Sequence, residues 1–355
     1  MQVFSRILNK ALQLLDQTLV ELYSASKKSL RHRLLMPVYA LRRFIFFLSA
    51  GLFFDIYLME GEAPQLNGRL RIGSLSGGHG REYLAHHFFQ SDPEIVTYRG
   101  RIPFWKQAAA AKALAAEANL VVVERNSLLN WKPSTGEWVC SPIYVRMVAE
   151  MDLSKPWEEI EPQFKAQKRN IRHLKKAGFA YRISNRMEDF HFFYDCMYYP
   201  LMSKRHGEDA FVESREQMLT YFRKGELLFI DDRDGNPVAG SLNMRKGDVL
   251  FGLALGVMDA REDLMHEGAL SAIYYFVLQW AYENHISRCD SCEVRPFAQD
   301  GVYTYKHRWG FRPVTELWNT REWMFWAPGP DPAAQNFVRN HPFLPEFCQT
   351  HTLAT

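Results

Sequence analysis

Between Val249 and Val294, a hydrophobic pattern typical of a strand is followed by one typical of a helix. From Val249 to Val257 the apolar residues are nearly continuous and two glycines interrupt them. This is typical of a buried central strand whose pairing loosens where its backbone approaches a ligand. Apolar residues then recur at helical spacing from about His266 to Asn284, which predicts a helix of about four to five turns. Cys289 to Val294 is the next predicted strand, and the crossover helix makes it parallel to the first.

The residues before this strand-helix-strand unit predict further elements of the same sheet. One strand comes first, two helices follow, and a hairpin then turns at Asp234, Gly235 and Asn236. In order, these elements are Phe179–Ser184, Met187–Lys204, Val212–Arg223, Glu226–Asp231 and Pro237–Met244. The sequence therefore predicts an α/β domain in which a strand, two helices and a strand pair precede the parallel unit.

Three motifs in this part of the chain resemble a known family. They are Leu153–Ile160, Lys168–Gly178 and Gly301–Phe311, and the last contains the string Tyr-x-Tyr-Lys-x-x-Trp-Gly-Phe. Their order and spacing resemble the FemAB-like branch of the GNAT acyltransferase superfamily, which includes peptidoglycan aminoacyltransferases and CelD-like acyl-CoA-dependent proteins. The likeness covers residues 144 to 325. It implies an α/β fold with a GNAT-like mixed sheet and flanking helices.

The first part of the chain has its own alternation of predicted strands and helices. Strands at Leu70–Leu75, Glu94–Tyr98 and Leu120–Glu124 alternate with helices at Arg81–Phe89 and Phe104–Ala118, which predicts an α/β layer. The resemblance implies that this layer is a shortened, degenerate first GNAT-like domain in tandem with the second. The sequence predicts four segments: an N-terminal basic amphipathic helical segment at 1–60, the degenerate domain at 61–150, the GNAT-like domain at 151–325, and a proline-spaced extended arm at 326–355.

A glycine-rich turn lies between the first predicted strand and helix of this layer. Gly77, Gly78 and Gly80 precede Arg81, so backbone N–H groups and a guanidinium could cradle a phosphate. The string matches neither the P-loop nor the dinucleotide fingerprint. A tight strand-to-helix turn that needs no ligand is therefore the alternative interpretation.

The N-terminal segment is basic and amphipathic. Residues 1–43 carry eight basic and two acidic side chains, and the apolar run Phe44–Phe54 follows. That run is shorter than the about 20 residues that a membrane-spanning helix needs, and the charged segment before it argues against a cleavable signal peptide. Two interpretations stay open: a helical hairpin packed on the protein, or a surface anchor on anionic lipid. We expect a cytoplasmic protein, which under the second interpretation contacts the inner face of the membrane peripherally.

Composition and cysteine usage narrow the class of protein. A chain of 355 residues with 47% hydrophobic and 14% aromatic residues can bury one or two sizeable cores. The net charge of +3 is too small to indicate nucleic acid by itself. The five cysteines form no even, closely spaced disulfide framework, which favours a reducing compartment. Cys289 and Cys292 have no accompanying pair and would point to opposite faces of a strand, so no metal site is expected.

The resemblance implies direct attack of an amine or hydroxyl on an activated acyl group, without a covalent enzyme intermediate. This reaction needs a base, a hydrogen-bond donor for the oxyanion and a cradle for the donor's phosphates. Glu293, at the end of the second strand, is the candidate base if it is partly buried, and a strand-end salt bridge is its alternative. Lys306 matches the family's closing motif, which implies a lysine near the acyl carbonyl or a phosphate. Tyr305, on one face of a predicted strand or four-residue turn, is a candidate hydrogen-bond donor, and core packing is its alternative. For Lys306 the alternative is a surface lysine beside core aromatic residues.

The start of the long helix is the predicted donor site, because N–H groups at a helix start bind anions. The predicted donor-binding residues are Gly268, Ala269, Leu270, Ser271, Leu255 and Gly256. The sequence departs from the family pattern here, since Met265 cannot bond a pyrophosphate and Glu267 would repel one. This departure puts coenzyme A in doubt.

Acceptor contacts are implied in and behind the loop between the two helices of the second domain. Arg205 is the first candidate, and Arg215 and Tyr221 are the others. The basic run from Lys165 to Lys176 is either a solvated helix face or a contact for phosphates of a donor or acceptor.

Three functions remain open on the sequence. The favoured one moves an acyl group from an acyl-CoA to an amine or hydroxyl acceptor in cell-envelope, polysaccharide or lipid metabolism. The second is aminoacyl-tRNA-dependent transfer to a cell-wall or lipid acceptor, and the third is a non-catalytic GNAT-like scaffold. The expected partner is a small-molecule, glycan or lipid acceptor, and tRNA is less favoured.

Overall fold

The computed structural model contains two compact units. It describes residues 37, 41, 44, 52–63, 68–77, 80–126, 137–206, 212–298, 300–314, 321–340 and 349–352. The first unit comprises the described residues within 1–145, 295–300 and 315–355, and the second comprises those within 146–294 and 301–314. Most of the basic N-terminal segment lies outside the described residues. Its predicted end at residue 60 is wrong, because residues 53–62 form a strand.

The helices and strands have the following bounds. The chain first forms β1 (Phe53–Glu62), β2 (Arg69–Ser76), α1 (Gly80–Phe88), β3 (Ile95–Pro103), α2 (Gln107–Leu114), β4 (Leu120–Asn126) and β5 (Glu137–Pro142). It continues with β6 (Val145–Glu150), α3 (Trp157–Ile160), α4 (Lys168–Ala177), β7 (Ala180–Ser184), α5 (Met187–Phe193), α6 (Tyr199–His206), α7 (Arg215–Phe222), β8 (Glu226–Asp231), β9 (Pro237–Lys246) and β10 (Val249–Val257). It ends with α8 (Glu262–Glu267), α9 (Ala269–Glu283), β11 (Arg288–Val294), α10 (Gly301–Arg308), β12 (Arg312–Val314), β13 (Arg321–Trp326), α11 (Pro332–Asn340) and β14 (Gln349–Thr352).

The first unit is built on a mixed sheet with the strand order β14-β5-β13-β4-β2-β1-β3. Strands β2 and β4 are parallel, whereas β1 pairs with β2 and β3 in antiparallel fashion. Its core gathers large side chains such as Phe88, Trp323, Phe325 and Phe337. The alternation of strands and helices predicted for this part of the chain is confirmed.

The C-terminal part of the chain differs from the prediction. Strand β13, which falls within the predicted second domain, lies in the first sheet between β4 and β5. The predicted extended arm instead contains helix α11, whose Phe337 is buried, and strand β14, which pairs with β5. Buried apolar residues of β13 and α11 complete the first core, and proline spacing alone did not indicate this.

The second unit is built on a mixed sheet with the strand order β12-β6-β11-β10-β9-β8-β7. After β6, α3 and α4, its elements run strand, two helical segments, three strands, two helices, strand, helix, strand. Helices α5 and α7 pack on one face, where Phe190 and Phe222 meet Phe229 and Leu242. Helix α9 packs on β8, β9 and β10. This order confirms the predicted mixed sheet with flanking helices.

Two predicted elements of this unit differ from the structure. The helix expected from about residue 266 to 284 is divided at Gly268, whose φ of +100° ends α8 and precedes α9. The segment around Tyr305 and Lys306, expected as a strand or turn, is helix α10. Both changes alter which side chains share a face.

Candidate functional site

The parallel strands β10 and β11 pair over only part of their length. Their pairing runs from Val249 with Arg288 to Phe251 with Asp290, although both strands continue beyond these residues. The pairing of β10 with β9 also shifts its register between Gly252 and Ala254. The five residues 251–255 are each partly exposed, which is unusual for a central strand. The sheet therefore has an opening at the middle of β10.

Cys292 holds the two strands together where this opening begins. Its φ is +66°, and its N–H donates to Asp290 Oδ1 at 2.9 Å. Its Sγ donates to the Gly252 carbonyl oxygen at 2.8 Å. Burial raises the pKa of the Cys292 thiol, so the thiol is neutral at pH 7 and suited to donate this bond. The sequence gives no sign of this hydrogen bond, because the spacing of Cys292 from Cys289 suggests only a metal ligand. No metal-binding group is found among the described residues.

Lys306 supports the second strand of the opening. It lies on α10 with only 6% of its surface exposed. Its Nζ donates to the carbonyl oxygen of Ser291, and to that of Glu293 at 3.4 Å. Both carbonyls come after the last pair between β10 and β11. The ammonium thus satisfies strand carbonyls, and the structure places it on backbone oxygens beside the opening.

Glu293 does not have the environment on which its predicted role as a base depended. Its side chain is exposed on β11, whereas the prediction assumed partial burial. The carboxylate is accessible to a substrate, and its role as a base stays a prediction.

Tyr305 and Ser271, which the sequence assigned to different roles, lie together. The Tyr305 hydroxyl is 3.1 Å from Ser271 Oγ, and the Tyr305 ring packs edge-on against Tyr274 at 5.2 Å. Asn170 Nδ2 on α4 donates to Ser271 Oγ at 3.5 Å. Ser271 stands in the first turn of α9, the helix that connects β10 with β11. A hydroxyl pair is therefore fixed at the start of this crossover helix.

The predicted anion cradle at the start of α9 is smaller than expected. The Gly268 N–H donates to the Met265 carbonyl oxygen at 3.2 Å, so it is not available to a ligand. Ala269 is buried and Leu270 is partly exposed. Any anion contact at this helix start would have to use the N–H groups that follow Gly268.

Gly256 approaches protein backbone. A Cβ at this position would lie 2.5 Å from the Met197 carbonyl carbon and 2.6 Å from the Tyr198 nitrogen. These atoms belong to the π-helical turn Tyr194–Tyr198 between α5 and α6. Its neighbour Leu255 is partly exposed beside the opening. Helix packing therefore explains why residue 256 is glycine.

The predicted acceptor residues have different surroundings. The side chain of Arg205 lies outside the described residues. Arg215 pairs with Asp195 and lies 3.1 Å from His191 Nδ1, so its guanidinium is held by neighbouring helices. Tyr221 is partly exposed, and burial raises its pKa.

A group of polar contacts around Phe251 was not predicted. Arg146 Nε and Nη2 donate to the two carboxylate oxygens of Asp290 at 2.7 and 2.9 Å. Arg146 and Lys246 also lie over the Phe251 ring, at 5.7 and 5.2 Å from its centre. The apolar run around Phe251 did not indicate these contacts. Their partners lie on other strands, and contacts between strands far apart in the sequence leave no local pattern.

The glycine-rich turn of the first unit makes contacts of its own. The Gly77 N–H donates to Glu124 Oε2 at 2.9 Å, and Glu124 also pairs with Arg321. A Cβ at Gly80 would lie 2.4 Å from Ser76 Cβ. These contacts favour the tight-turn interpretation for the part of the loop that the structure describes.

No helix within the described ranges combines the length and hydrophobicity needed to cross a membrane.

Comparison with known proteins gives distant structural similarities. No protein-family model and no curated protein matches the chain. A FemX structure is 12% identical over 80% of this chain and 85% of its own, with a TM-score of 0.38. L-PGS from Bacillus licheniformis is 9% identical over 80% and 88%, with a TM-score of 0.35. A GCN5-related N-acetyltransferase from Sphaerobacter thermophilus is 15% identical over 74% and 75%, with a TM-score of 0.34. Similarities this distant identify no reaction.

Proposed function

We propose that the second unit transfers an acyl group from an acyl-CoA to an amine or hydroxyl acceptor, in cell-envelope, polysaccharide or lipid metabolism. The opening between β10 and β11 is the observation that carries this proposal. Beyond Phe251 and Asp290, the facing edges of the two strands have no ladder partner among the described residues. An extended ligand with amide groups could pair with such an edge as an added strand does. The pantetheine arm of an acyl-CoA, which contains amide groups, has this form.

The proposed reaction uses the exposed carboxylate and the hydroxyl pair. A nitrogen or oxygen of the acceptor attacks the acyl carbonyl carbon, the new bond forms and the thioester C–S bond breaks. The acceptor loses its proton to Glu293. The Tyr305 hydroxyl, held at 3.1 Å by Ser271, donates a proton to the leaving thiolate, and Tyr305 regains one from solvent.

The donor site is tested at Leu270, which is partly exposed in the first turn of α9. Leu270→Asp places a negative charge where it favours the helix but repels a phosphate, whereas Leu270→Asn has a similar size and no charge. In calorimetry with acetyl-CoA, we expect the wild type and L270N to bind and L270D to bind about tenfold more weakly, a difference of about 1.4 kcal/mol. A wild type that does not bind, or equal binding by the two variants, would contradict the proposed donor.

The same protein preparations test the hydroxyl pair. Tyr305→Phe is expected to keep acetyl-CoA binding but to reduce thiol release from acetyl-CoA about 100-fold. Tyr303→Phe, on the same helix, is the control and should leave both measurements unchanged. A Y305F protein with wild-type turnover would remove Tyr305 from the reaction.

An aminoacyl-tRNA is the second candidate donor, and the surface of α4 favours it. Lys175 pairs with Glu161 at 2.6 Å, and the other basic side chains of α4 point into solvent. The exposed basic residues of α4 are Lys168, Arg169, Arg172, Lys175 and Lys176. Because α4 also contacts Ser271 through Asn170, a polyanion on this face would lie beside the start of α9. Binding of tRNA without binding of acetyl-CoA, weakening steeply with salt, would favour this donor.

A further inference from the structure

The cations around Phe251 form a cluster that the proposed reaction does not use. Phe251 is the last residue of β10 that pairs with β11. Arg146 on β6 and Lys246 on β9 both lie over its ring, so the three side chains occupy one face of the sheet. Phe251, Arg146 and Lys246 are all partly exposed. We call Arg146, Lys224, Lys246, Phe251 and Asp290 the Phe251 cluster.

The Phe251 cluster has an excess of positive charge. Asp290 is 6% exposed, and both of its carboxylate oxygens accept hydrogen bonds from Arg146. Among the described residues, Lys246 Nζ has no hydrogen-bond or ion-pair acceptor, and it lies over the Phe251 ring. Lys224 is exposed nearby. Three cations and one carboxylate give a local charge of +2 (3 − 1).

The excess positive charge of the Phe251 cluster is unfavourable unless an anion binds beside it. Burial lowers the pKa of Lys246, and the charges of Arg146 and Lys224 lower it further. Both effects disfavour the charged ammonium in the free protein. An anion beside Lys246 would reverse the repulsion and supply the acceptor that its three N–H groups lack. Solvent has access to the cluster, so an anion can reach it.

We propose that the Phe251 cluster binds a phosphate ester group carried by the acyl acceptor. Arg and Lys together are suited to phosphate oxygens, and a charge of +2 complements a phosphate monoester or diester. Phe251 is also the first of the five partly exposed residues at the opening. A molecule held here by its phosphate would therefore extend towards the strand opening. The acceptor role rests on the proposed function, whereas phosphate binding itself does not.

Matched charge-removing variants of the full chain test this inference. Lys246→Met removes the charge but keeps an apolar stem over Phe251. Lys112→Met removes an exposed lysine from α2 in the first unit and is the control. The probes are sn-glycerol 3-phosphate in calorimetry, and vesicles of phosphatidylcholine with and without phosphatidylglycerol in co-sedimentation. Melting temperatures verify that both variants fold.

We expect the wild type and K112M to bind at least one phosphate probe equally well. K246M should bind that probe about tenfold more weakly, since a hydrogen bond to a charged group is lost, and Lys224→Met about threefold more weakly. A loss seen with glycerol phosphate identifies a soluble phosphate ester, and a loss seen with phosphatidylglycerol vesicles alone identifies a lipid headgroup.

Equal affinities of K246M and K112M, or a wild type that binds neither probe, would overturn the inference. No acyl donor is present in these measurements. A failure here therefore leaves thiol release from acetyl-CoA as a separate result, and a failure of acyl transfer leaves phosphate binding intact.

Discussion

Two glycines of β10 differ in the reason for their small size. At Gly256 an added Cβ would meet the backbone of Met197 and Tyr198 at 2.5 and 2.6 Å. At Gly252 the nearest atom would be the Asp290 carbonyl oxygen at 3.6 Å, which is an ordinary contact. One glycine is thus required by helix packing, whereas the other faces a site with room for a methyl group.

This difference gives a prediction for two alanine variants. Gly256→Ala should lower the free energy of unfolding by about 1–3 kcal/mol, because overpacking forces the backbone apart. Gly252→Ala should change it by less than about 0.5 kcal/mol but should weaken acetyl-CoA binding if the donor lies along the opening. Denaturant titration and calorimetry measure the two effects. A destabilised G252A with unimpaired binding would contradict this account of the opening.

Burial determines the protonation state of the two cysteines of β11. Burial raises the pKa of Cys289 to about 12 and raises that of Cys292 as well. Both thiols are therefore protonated at neutral pH, and they serve packing and hydrogen bonding. The sequence predicted no metal site at these cysteines and gave no other role for Cys292. In the structure, the Cys292 thiol donates a hydrogen bond to the Gly252 carbonyl oxygen.

At the scale of elements, the hairpin between β8 and β9 follows local sequence closely. Asp232 Oδ1 accepts hydrogen bonds from the N–H groups of Asp234 at 2.9 Å and Asn236 at 2.8 Å. Gly235 has a φ of +81°, which glycine adopts without strain. The turn predicted at residues 234–236 is confirmed, because side chains near in sequence suffice to stabilise it.

This turn makes the stability of the hairpin depend on pH. The backbone hydrogen bond from Asn236, with others in the turn, holds the pKa of Asp232 below its ordinary value of 3.8. Its contribution is therefore present above pH 3.8 and is lost as the pH falls through the lowered pKa. Asp232→Ala should lower the melting temperature by about 2–4 °C at pH 7, with the difference shrinking in acid. A difference that persists or grows in strong acid would contradict this role for the carboxylate.

Helix α10 shows where local pattern misled. The aromatic residues of this segment suit a strand, yet its Lys306 reaches two carbonyl oxygens of β11. These carbonyls attract the ammonium because β10 no longer pairs beside them. These partners of Lys306 lie 15 and 13 residues earlier in the chain, so the pattern of the segment itself does not reveal them.

At the scale of the whole molecule, the first unit is assembled from distant parts of the chain. Strand β13 lies between β4 and β5, and its Trp323, Met324 and Phe325 are buried. Strand β14 lies at the edge of the same sheet and pairs only with β5 within the described residues. In the C-terminal part of the chain, β13 thus lies in the interior of the sheet, and β14 lies at its edge.

Truncations test this assembly. A chain ending at residue 320 loses the buried side chains of Trp323, Met324, Phe325 and Phe337. Each is worth about 1.5–3 kcal/mol, and together they are comparable with the 5–15 kcal/mol that stabilises a domain. We expect its first unit to be unfolded, as measured by proteolysis and near-ultraviolet circular dichroism. A chain ending at residue 348 loses only the edge strand and should stay folded with a lower melting temperature. Equal behaviour of the two truncations would contradict the central place of β13.

The sequence by itself determined the elements whose signals are local. Periodicity and turn residues placed the hairpin, the parallel pair around α9 and the alternation in the first unit, because side-chain spacing within an element decides which face is buried. It also predicted Tyr305 and Ser271 as site residues, although Tyr305 was assigned as a hydrogen-bond donor and Ser271 as a residue that binds the acyl donor.

Only the tertiary structure decided what distant residues do together. It ended the pairing of β10 with β11, placed Lys306 on strand carbonyls, left Glu293 exposed and gathered Arg146, Lys246 and Asp290 around Phe251. These contacts join strands that are far apart in the chain, so the residues at one site are set by sheet order and register. No short stretch of sequence contains that information.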